Sequence, residues 1–358
     1  MSESFLYLLT DEFYMQRCIQ LARSGTGCVA PNPLVGAVLV FDNRIIGEGY
    51  HQQYGQAHAE VNCLNSVKES DRELISRSTL YVSLEPCSHF GKTPPCTDLI
   101  LRHKIPSVKI GSVDIHDVVN GKGIDRLRQA GVEVQTGICE QDCLFLNRRF
   151  FTSLTEKRPY IILKWAQSAN GMMGKPGVRT PISNPYTNML VHRWRKEEPA
   201  ILVGHHTAII DNPQLTNRHW EGKQPVRILL CSHPCKEDLV MFSEPGKTIV
   251  FNTEENKVSG AVHFVKVSRG NYLSETMNYL MQENIQSVLV EGGAFTLKEL
   301  LDAGLWDEIR VITARSKIID KGIRVPALPE ARLLREAQIA DDLIAYYGNP
   351  HNRFVVPN

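Results

Sequence analysis

The sequence predicts an α/β protein built of two domains. Its 358 residues exceed the roughly 100–200 residues of one ordinary domain. Helix-period and strand-like stretches alternate along most of its length. A polar stretch at residues 144–158, holding Asn147-Arg148-Arg149 and Glu156-Lys157-Arg158, breaks that alternation and offers little material for a core. The expected domains are therefore residues 1–146 and 158–358.

Residues 10–24 read as a helix. Asp11 and Glu12 suit the positive end of its dipole, apolar side chains recur at 14, 15, 18, 19, 21 and 22, and Gly25 follows as a stop. Residues 34–41 form a buried strand, Asp42-Asn43 a turn, and residues 44–50 the hairpin partner. A helix opening near His58 carries Val61 and Leu64 inward. A β-rich strand at 79–84 runs into Glu85-Pro86-Cys87. A helix at 97–103, a strand at 108–113, a helix at 123–130 and a strand at 132–135 complete the first domain. Pro159 then precedes a strand at 160–166. Further strands are expected at 200–203, 226–231, 248–251, 287–290 and 307–313, with helices ending near Lys196 and spanning 273–282 and 295–303. The polar turn at 348–353 is expected to lead into a last strand.

Composition narrows the function. The chain is 42% hydrophobic and 22% charged, and 40 Lys and Arg oppose 39 Asp and Glu for a net charge of +1. That balance lacks the basic footprint of a nucleic-acid binder, so no nucleic-acid partner is expected. No apolar run approaches the ~18 residues of a membrane span, and the first residues lack the basic start of a secretory leader. Nine scattered cysteines do not form a disulfide framework, and a reducing cytoplasm is the expected location.

The clearest chemistry lies in His58-Ala59-Glu60, Pro86-Cys87 and Cys96. One imidazole and two thiolates suit zinc, and a catalytic zinc keeps its fourth position for water. Zinc lowers the pKa of that water from about 15.7 to about 7. Glu60, beside the histidine and not needed as a ligand, is placed to move protons. This is the residue pattern of zinc nucleobase deaminases, and one Zn2+ per chain is expected. His58 and Cys87 are both expected at helix starts, where the dipole favours thiolate. The eight residues between Cys87 and Cys96 exceed the usual two. That loop offers Ser88, His89, Lys92 and Thr93 to a polar or phosphorylated substrate.

Here a family resemblance becomes specific. Pro31-Asn32-Pro33-Leu34-Val35-Gly36, Gly49-Tyr50-His51, the run from Gly55 to Val61, and the long Cys87–Cys96 loop resemble the bifunctional deaminase/reductase of riboflavin biosynthesis. The resemblance covers nearly the whole chain. It implies a cytidine-deaminase-like N-terminal domain. It also implies a phosphorylated pyrimidine substrate, contacted by Asn32, His51, His89, Lys92 and Asp114. The family usually has Asn where His116 stands.

In the second half, Val290-Glu291-Gly292-Gly293 sits between a strand and a helix, where glycines admit a close backbone approach and the helix start suits a phosphate. No Gly-x-Gly-x-x-Gly motif supports a Rossmann fold. The stretches 163–171, 202–207 and 211–218 resemble the family's reductase motifs. The resemblance implies a dihydrofolate-reductase-like C-terminal domain using NADPH. Ala166, Thr207, Asp211 and the stretch from Gly293 to Glu299 would bind NADP; Arg195, Leu215, Arg218 and Glu291 would bind substrate. Arginine suits a substrate phosphate, because guanidinium binds it bidentately. Two departures stand out. Asn170 replaces the family's Asp, and Arg179-Thr180-Pro181 replaces Ser-x-Trp, so Arg179 becomes a candidate for the 2′-phosphate of NADP. An alternative is a deaminase whose second domain is degenerate and structural. A homo-oligomer, dimer or tetramer, is expected. Cys231 and Cys235 are expected not to hold metal, and His205-His206 reads as a solvated pair beside Thr207.

Overall fold

The structure, a computed structural model, describes residues 10–90, 94–115, 120–231 and 238–355. The chain divides after Phe151 into two compact units.

In the N-terminal unit, α1 (Asp11–Arg23) is capped by the Thr10 side chain, which accepts from the Phe13 N–H, satisfying one of the orphan donors of the first turn. The strands are β1 (Gly36–Phe41), β2 (Arg44–Tyr50), β3 (Thr79–Leu84), β4 (Ser107–Ser112) and β5 (Glu133–Thr136). They form one sheet in the order β2-β1-β3-β4-β5. β1 is antiparallel to both β2 and β3, while β3, β4 and β5 are parallel. The register decides where the chemistry falls. The carboxyl ends of β2, β3 and β4 and the amino end of β1 share one edge of the sheet, because Gly36 pairs with Tyr50 and Ala37 with Val82. Asn32, His51, Cys87 and Asp114 all follow or precede strands at that edge.

Helix α2 (Ala59–Asn65) packs on β2 at close range. A Cβ at Gly49 would lie 2.2 Å from the Cys63 nitrogen, so glycine there sets the depth of the helix. α2 buries Ala59, Glu60, Cys63 and Leu64; Val61, expected inward, is only half-buried, since Cys63 takes the inward position. α3 (Cys96–Arg102), α4 (Lys122–Gln129) and α5 (Glu140–Leu146) complete the unit, with a 3-10 helix at Glu69–Arg77 that the sequence reading omits. Cys87 lies in the loop after β3 rather than at a helix start. Cys96 takes that role instead, as the first residue of α3.

The expected polar boundary is not empty of structure. α5 and α6 (Arg148–Glu156) fill it, and Leu146, Phe151, Thr152 and Ser153 are buried there. Arg148 and Arg149 mask an amphipathic helix whose buried face begins two residues later.

The C-terminal unit carries β6 (Tyr160–Ser168), α7 (Pro185–Glu197), β7 (Ala200–Gly204), α8 (His205–Asp211), β8 (Val226–Leu230), α9 (Val240–Ser243), β9 (Thr248–Asn252), β10 (Lys257–Ser259), β11 (Val262–Lys266), α10 (Tyr272–Gln282), β12 (Ser287–Val290), α11 (Ala294–Asp302), β13 (Glu308–Ala314), β14 (Arg332–Ile339) and β15 (Asp342–Gly348). Its ten-stranded sheet runs β10-β11-β9-β8-β7-β12-β6-β13-β15-β14. From β11 to β13 every pair is parallel, with antiparallel strands at both edges. β10, β11, β14 and β15 were not anticipated, and residues 349–355, the last of the described residues, hold turns and no strand. The chain steps outward from β7 to β9 and then returns to insert β12 between β6 and β7. Such a reversal opens a crevice at the carboxyl ends of parallel strands.

The base of this sheet rests on one buried carboxylate. Asp307 is fully buried and takes a two-pronged contact from Arg158 at 2.6 and 2.9 Å. It also accepts from the Ile161 N–H at 2.8 Å and the Asn352 side chain at 2.8 Å. It thus joins the starts of β6 and β13 to the C-terminal turn. Removing this carboxylate takes the charged partner from Arg158, which among the described residues keeps only the Pro159 carbonyl at 3.0 Å, and leaves the Ile161 N–H without an acceptor. Asp307→Ala is expected to destabilise this unit by about 3–5 kcal/mol, read as a lower denaturant midpoint for the C-terminal unit; an unchanged midpoint contradicts the assignment.

Candidate deaminase and reductase sites

The edge of the N-terminal sheet gathers the predicted zinc ligands. His58 is the N-cap of α2. Its Nδ1 lies 3.6 Å from Cys87 Sγ and 3.3 Å from Cys96 Sγ, and all three ligand atoms fall within 4.8 Å of one another. Tetrahedral zinc bonded at about 2.3 Å to sulfur and 2.0–2.1 Å to nitrogen spaces such atoms about 3.6 Å apart. The residues therefore fit the ion. The Cys96 backbone N–H donates to Cys87 Sγ at 3.4 Å. Hydrogen bonds from Cys96 and then His58 hold the Cys87 thiol well below its usual range despite burial, while Cys87 and burial push Cys96 up. Ligation by a divalent cation requires both thiols to be deprotonated.

Glu60, on the first turn of α2, is buried. Burial, reinforced by Cys87, raises its carboxyl above the usual range. At the same edge of the sheet, Asn32 Nδ2 and His51 Nε2 are 3.1 Å apart. The other His51 nitrogen lies 3.0 Å from the Ala57 carbonyl, and its ring meets that of His58 edge-on at 5.5 Å. Burial keeps the His51 pKa below normal. Asp114 is buried at the same edge and His89 is exposed. Lys92 and His116 lie outside the described residues.

One residue the sequence reading passed over stands out here. Glu85, buried after β3, accepts from four backbone N–H groups: Asp114 at 3.2 Å, Gly121 at 3.0 Å, Gly123 at 2.9 Å and Ile124 at 3.4 Å. The available signal was an acid placed directly before Pro86-Cys87 at a strand end.

In the C-terminal unit a cavity of about 1150 Å³ opens at the carboxyl ends of the parallel strands. This exceeds the volume range of a site for one drug-sized ligand and suits a dinucleotide with its substrate. Register explains its walls. Val290 pairs with Leu163 and with Leu202, so Lys164, Glu291 and the end of β7 converge. Glu291 receives Arg195 Nε at 2.7 Å and a second Arg195 nitrogen at 2.9 Å, and Lys164 Nζ lies 3.6 Å away. Burial alone raises its pKa, but Arg195 and Lys164 overcome this and bring it to about 2. The third Arg195 donor goes to the Thr216 carbonyl at 2.9 Å. Its bidentate edge is thus engaged with Glu291.

Ala166, Thr207, Asp211, Leu215 and Gly293 line the same cavity. Gly292 has φ +106°, and a Cβ at Gly293 would come 2.8 Å from Thr207 Oγ1. The backbone before α11 is therefore open to a ligand only because side chains are missing there, a cradle that fits a cofactor phosphate. Arg218 is exposed, 3.4 Å from Thr216 Oγ1, and is not among the lining residues. Arg179 lines the cavity, and its charge opposes the upward push of burial on Asp211. His205 and His206 line it too, and His205 Nδ1 lies 3.0 Å from Cys231 Sγ. Cys231 is disulfide-bonded, although the scattered cysteines do not read as a disulfide framework; Cys235 lies outside the described residues. Asn170 holds a turn, its amide donating to the Ile319 carbonyl at 2.9 Å and accepting from Ser168 Oγ at 2.7 Å.

Comparison with known proteins matches a family to each unit. Residues 9–112 match the cytidine and deoxycytidylate deaminase zinc-binding region, and residues 159–319 the RibD C-terminal domain. A riboflavin biosynthesis protein RibD from Aquifex aeolicus is 37% identical over 94% of this chain and 98% of its own. That of Escherichia coli is 33% identical over 92% and 94%. A solved structure from Thermotoga maritima, described as a diaminohydroxyphosphoribosylaminopyrimidine deaminase/5-amino-6-(5-phosphoribosylamino)uracil reductase, superposes with a TM-score of 0.87 at 35% identity, covering 94% of this chain and 98% of that one. With a zinc-binding deaminase site in one unit and an NADPH-dependent reductase domain in the other, the chain belongs to the RibD family of bifunctional riboflavin biosynthesis enzymes.

Proposed function

We propose that the chain catalyses two consecutive steps. The first is hydrolytic deamination of 2,5-diamino-6-ribosylamino-4(3H)-pyrimidinone 5′-phosphate. The second is NADPH-dependent reduction of its ribosyl group to a ribityl chain. The observation that carries this reading is the ligand triad beside Glu60 in one unit, together with the Glu291-walled cavity in the other.

In the first step His58, Cys87 and Cys96 would hold the metal, which when bound would supply the acidification of a water. Glu60 accepts a proton from that water and delivers it to the amino group that leaves as ammonia. Its burial excludes bulk water from the transfer. Asn32 and His51, held together at 3.1 Å, orient the pyrimidine, and His89, Lys92 and Asp114 contact the remainder of the substrate.

In the second step NADPH supplies the hydride. Gly293 and the start of α11 receive the cofactor with Ala166, Thr207 and Asp211. Glu291, fixed by Arg195 and Lys164, presents a charged hydrogen-bond acceptor to substrate hydroxyls beside Leu215. Arg218, with its exposed guanidinium, takes the substrate phosphate, while Arg195 acts through Glu291. The proposal includes a homo-oligomer, dimer or tetramer, checked by light scattering, and a cytoplasmic location. Among the described residues, no helix is long and apolar enough to cross a membrane.

A two-channel assay tests the reading by following ammonia release and NADPH oxidation on the zinc-loaded protein. Glu60→Ala is expected to keep one zinc per chain and to lose deamination by at least about 10²-fold. It should still oxidise NADPH when given the deaminated substrate. A fully active variant removes Glu60 from the mechanism, and no NADPH oxidation by the wild type supports the deaminase-only alternative.

Chelation is a second test. Because the triad lies wholly within residues 58–96, zinc removal is expected to abolish ammonia release and leave reduction of the deaminated substrate in place. Global unfolding on chelation would mark the metal as structural.

Arg179→Ala is expected to reduce the preference for NADPH over NADH by about tenfold, the scale of one charge-assisted contact to a phosphate. An unchanged ratio of the two kcat/KM values removes Arg179 from 2′-phosphate recognition.

A further inference from the structure

We infer that Glu85, assisted by Arg126, is a positioning residue for the deaminase reaction. It locks the Asp114 wall of the site onto the strand end that carries Cys87. The inference rests on the deaminase reading above.

Glu85 continues β3 past its last paired residue, since its own N–H donates to the Ser112 carbonyl at 3.0 Å. Two residues later comes Cys87. The backbone leading to a metal ligand and the backbone carrying this carboxylate are therefore one rigid piece. Each carboxylate oxygen is used twice. Oε2 accepts from Asp114 N at 3.2 Å and Gly121 N at 3.0 Å. Oε1 accepts from Gly123 N at 2.9 Å and Ile124 N at 3.4 Å. Asp114 lies just beyond β4, and the other three donors belong to the cap and first turn of α4, whose N–H groups have no partner within the helix. One side chain thereby ties Asp114 to the start of α4.

Two further contacts lock α4 to the ligand loop. A Cβ at Gly123 would stand 2.2 Å from the Pro86 carbonyl oxygen, so α4 touches the peptide directly before Cys87. One turn on, Arg126 reaches the Ser88 carbonyl at 3.5 Å and pairs with Asp98 on α3. Ser88 and Asp98 flank the two cysteine ligands. These contacts of α4 therefore run to the residues beside each of the two cysteine ligands. A group so placed sets the distance between the zinc ligands and the substrate-contacting wall.

Glu85→Gln tests this in the intact bifunctional chain. The amide keeps the shape but has one accepting oxygen, so two N–H groups now face an NH2. The expected result is a deamination kcat/KM lower by about 10- to 10²-fold, the scale of a misplaced reacting group. The loss should fall mainly in KM, with one zinc per chain retained. Reduction of the deaminated substrate by the same preparation serves as the folding control and should be unchanged. Arg126→Ala should raise the deamination KM in the same direction by a smaller factor, and Arg126→Lys should recover part of it. If Glu85→Gln leaves KM and kcat per bound zinc at wild-type values, whether zinc content is full or reduced, Glu85 is only structural and the inference falls. If the wild-type protein releases no ammonia, the deaminase reading fails first and takes the inference with it.

Discussion

Tetrahedral zinc requires its ligand atoms about 3.6 Å apart, and here those atoms come from three stretches of backbone: the cap of α2, the loop after β3 and the start of α3. Most of the N-terminal unit can be understood as meeting that distance. α2 must lie low on the sheet for His58 to reach, and Gly49 permits it, since a side chain there would collide with the backbone of Cys63. α3 must begin at Cys96 rather than after it, and its first N–H then falls 3.4 Å from Cys87 Sγ. That donor stabilises a thiolate at no cost in side-chain entropy. Glu60 is carried into the site by the same turn of helix that presents His58.

The C-terminal unit solves a different problem with charge. A carboxylate at the floor of a cavity is expensive to bury unless it is paired. Glu291 is paired twice, by Arg195 and Lys164, and their attraction outweighs desolvation and holds its pKa down to about 2. Such a group has its folded pKa depressed below the unfolded value. Its contribution to stability is present above the ordinary carboxylate pKa of about 4.3, and is lost as pH falls toward 2. Glu291 is therefore a fixed anion throughout the neutral range. Arg195 fixes it in place and gives up its own bidentate edge in doing so, which is why a cation assigned to phosphate by residue type turns out to be committed to a neighbour.

What could be read from sequence follows the kind of interaction involved. His58, Glu60, Cys87 and Cys96 were legible because metal and proton chemistry demand particular side chains. Glu85 was not, because its partners are backbone N–H groups 29 to 39 positions away, and a backbone donor has no residue identity. Strand β14 was missed for a related reason. As an edge strand its residues are mostly exposed and include Arg332, Arg335 and Glu336, the charged dress that protects edges and erases the alternation by which strands are found. The helix α6 was hidden by Arg148 and Arg149 at its start. Asn170 looked like a lost functional residue and is engaged in holding a turn to Ile319.

The two units share one geometric device although their sheets differ. In each, residues with chemistry stand where parallel strands end: Cys87 and Asp114 after β3 and β4, Glu291 after β12, and Lys164 in β6 at the level where β12 stops. In a parallel sheet neighbouring strands end on the same side, so side chains far apart in sequence converge without long loops. The N-terminal sheet extends the device by running β1 backwards, which brings Asn32, ahead of that strand, to the same edge as His51, beyond β2. A one-residue slip in the β1–β2 register would turn the side chains of these strands to opposite faces. Keeping Gly36 opposite Tyr50 is therefore as much a condition of catalysis as the identity of the ligands.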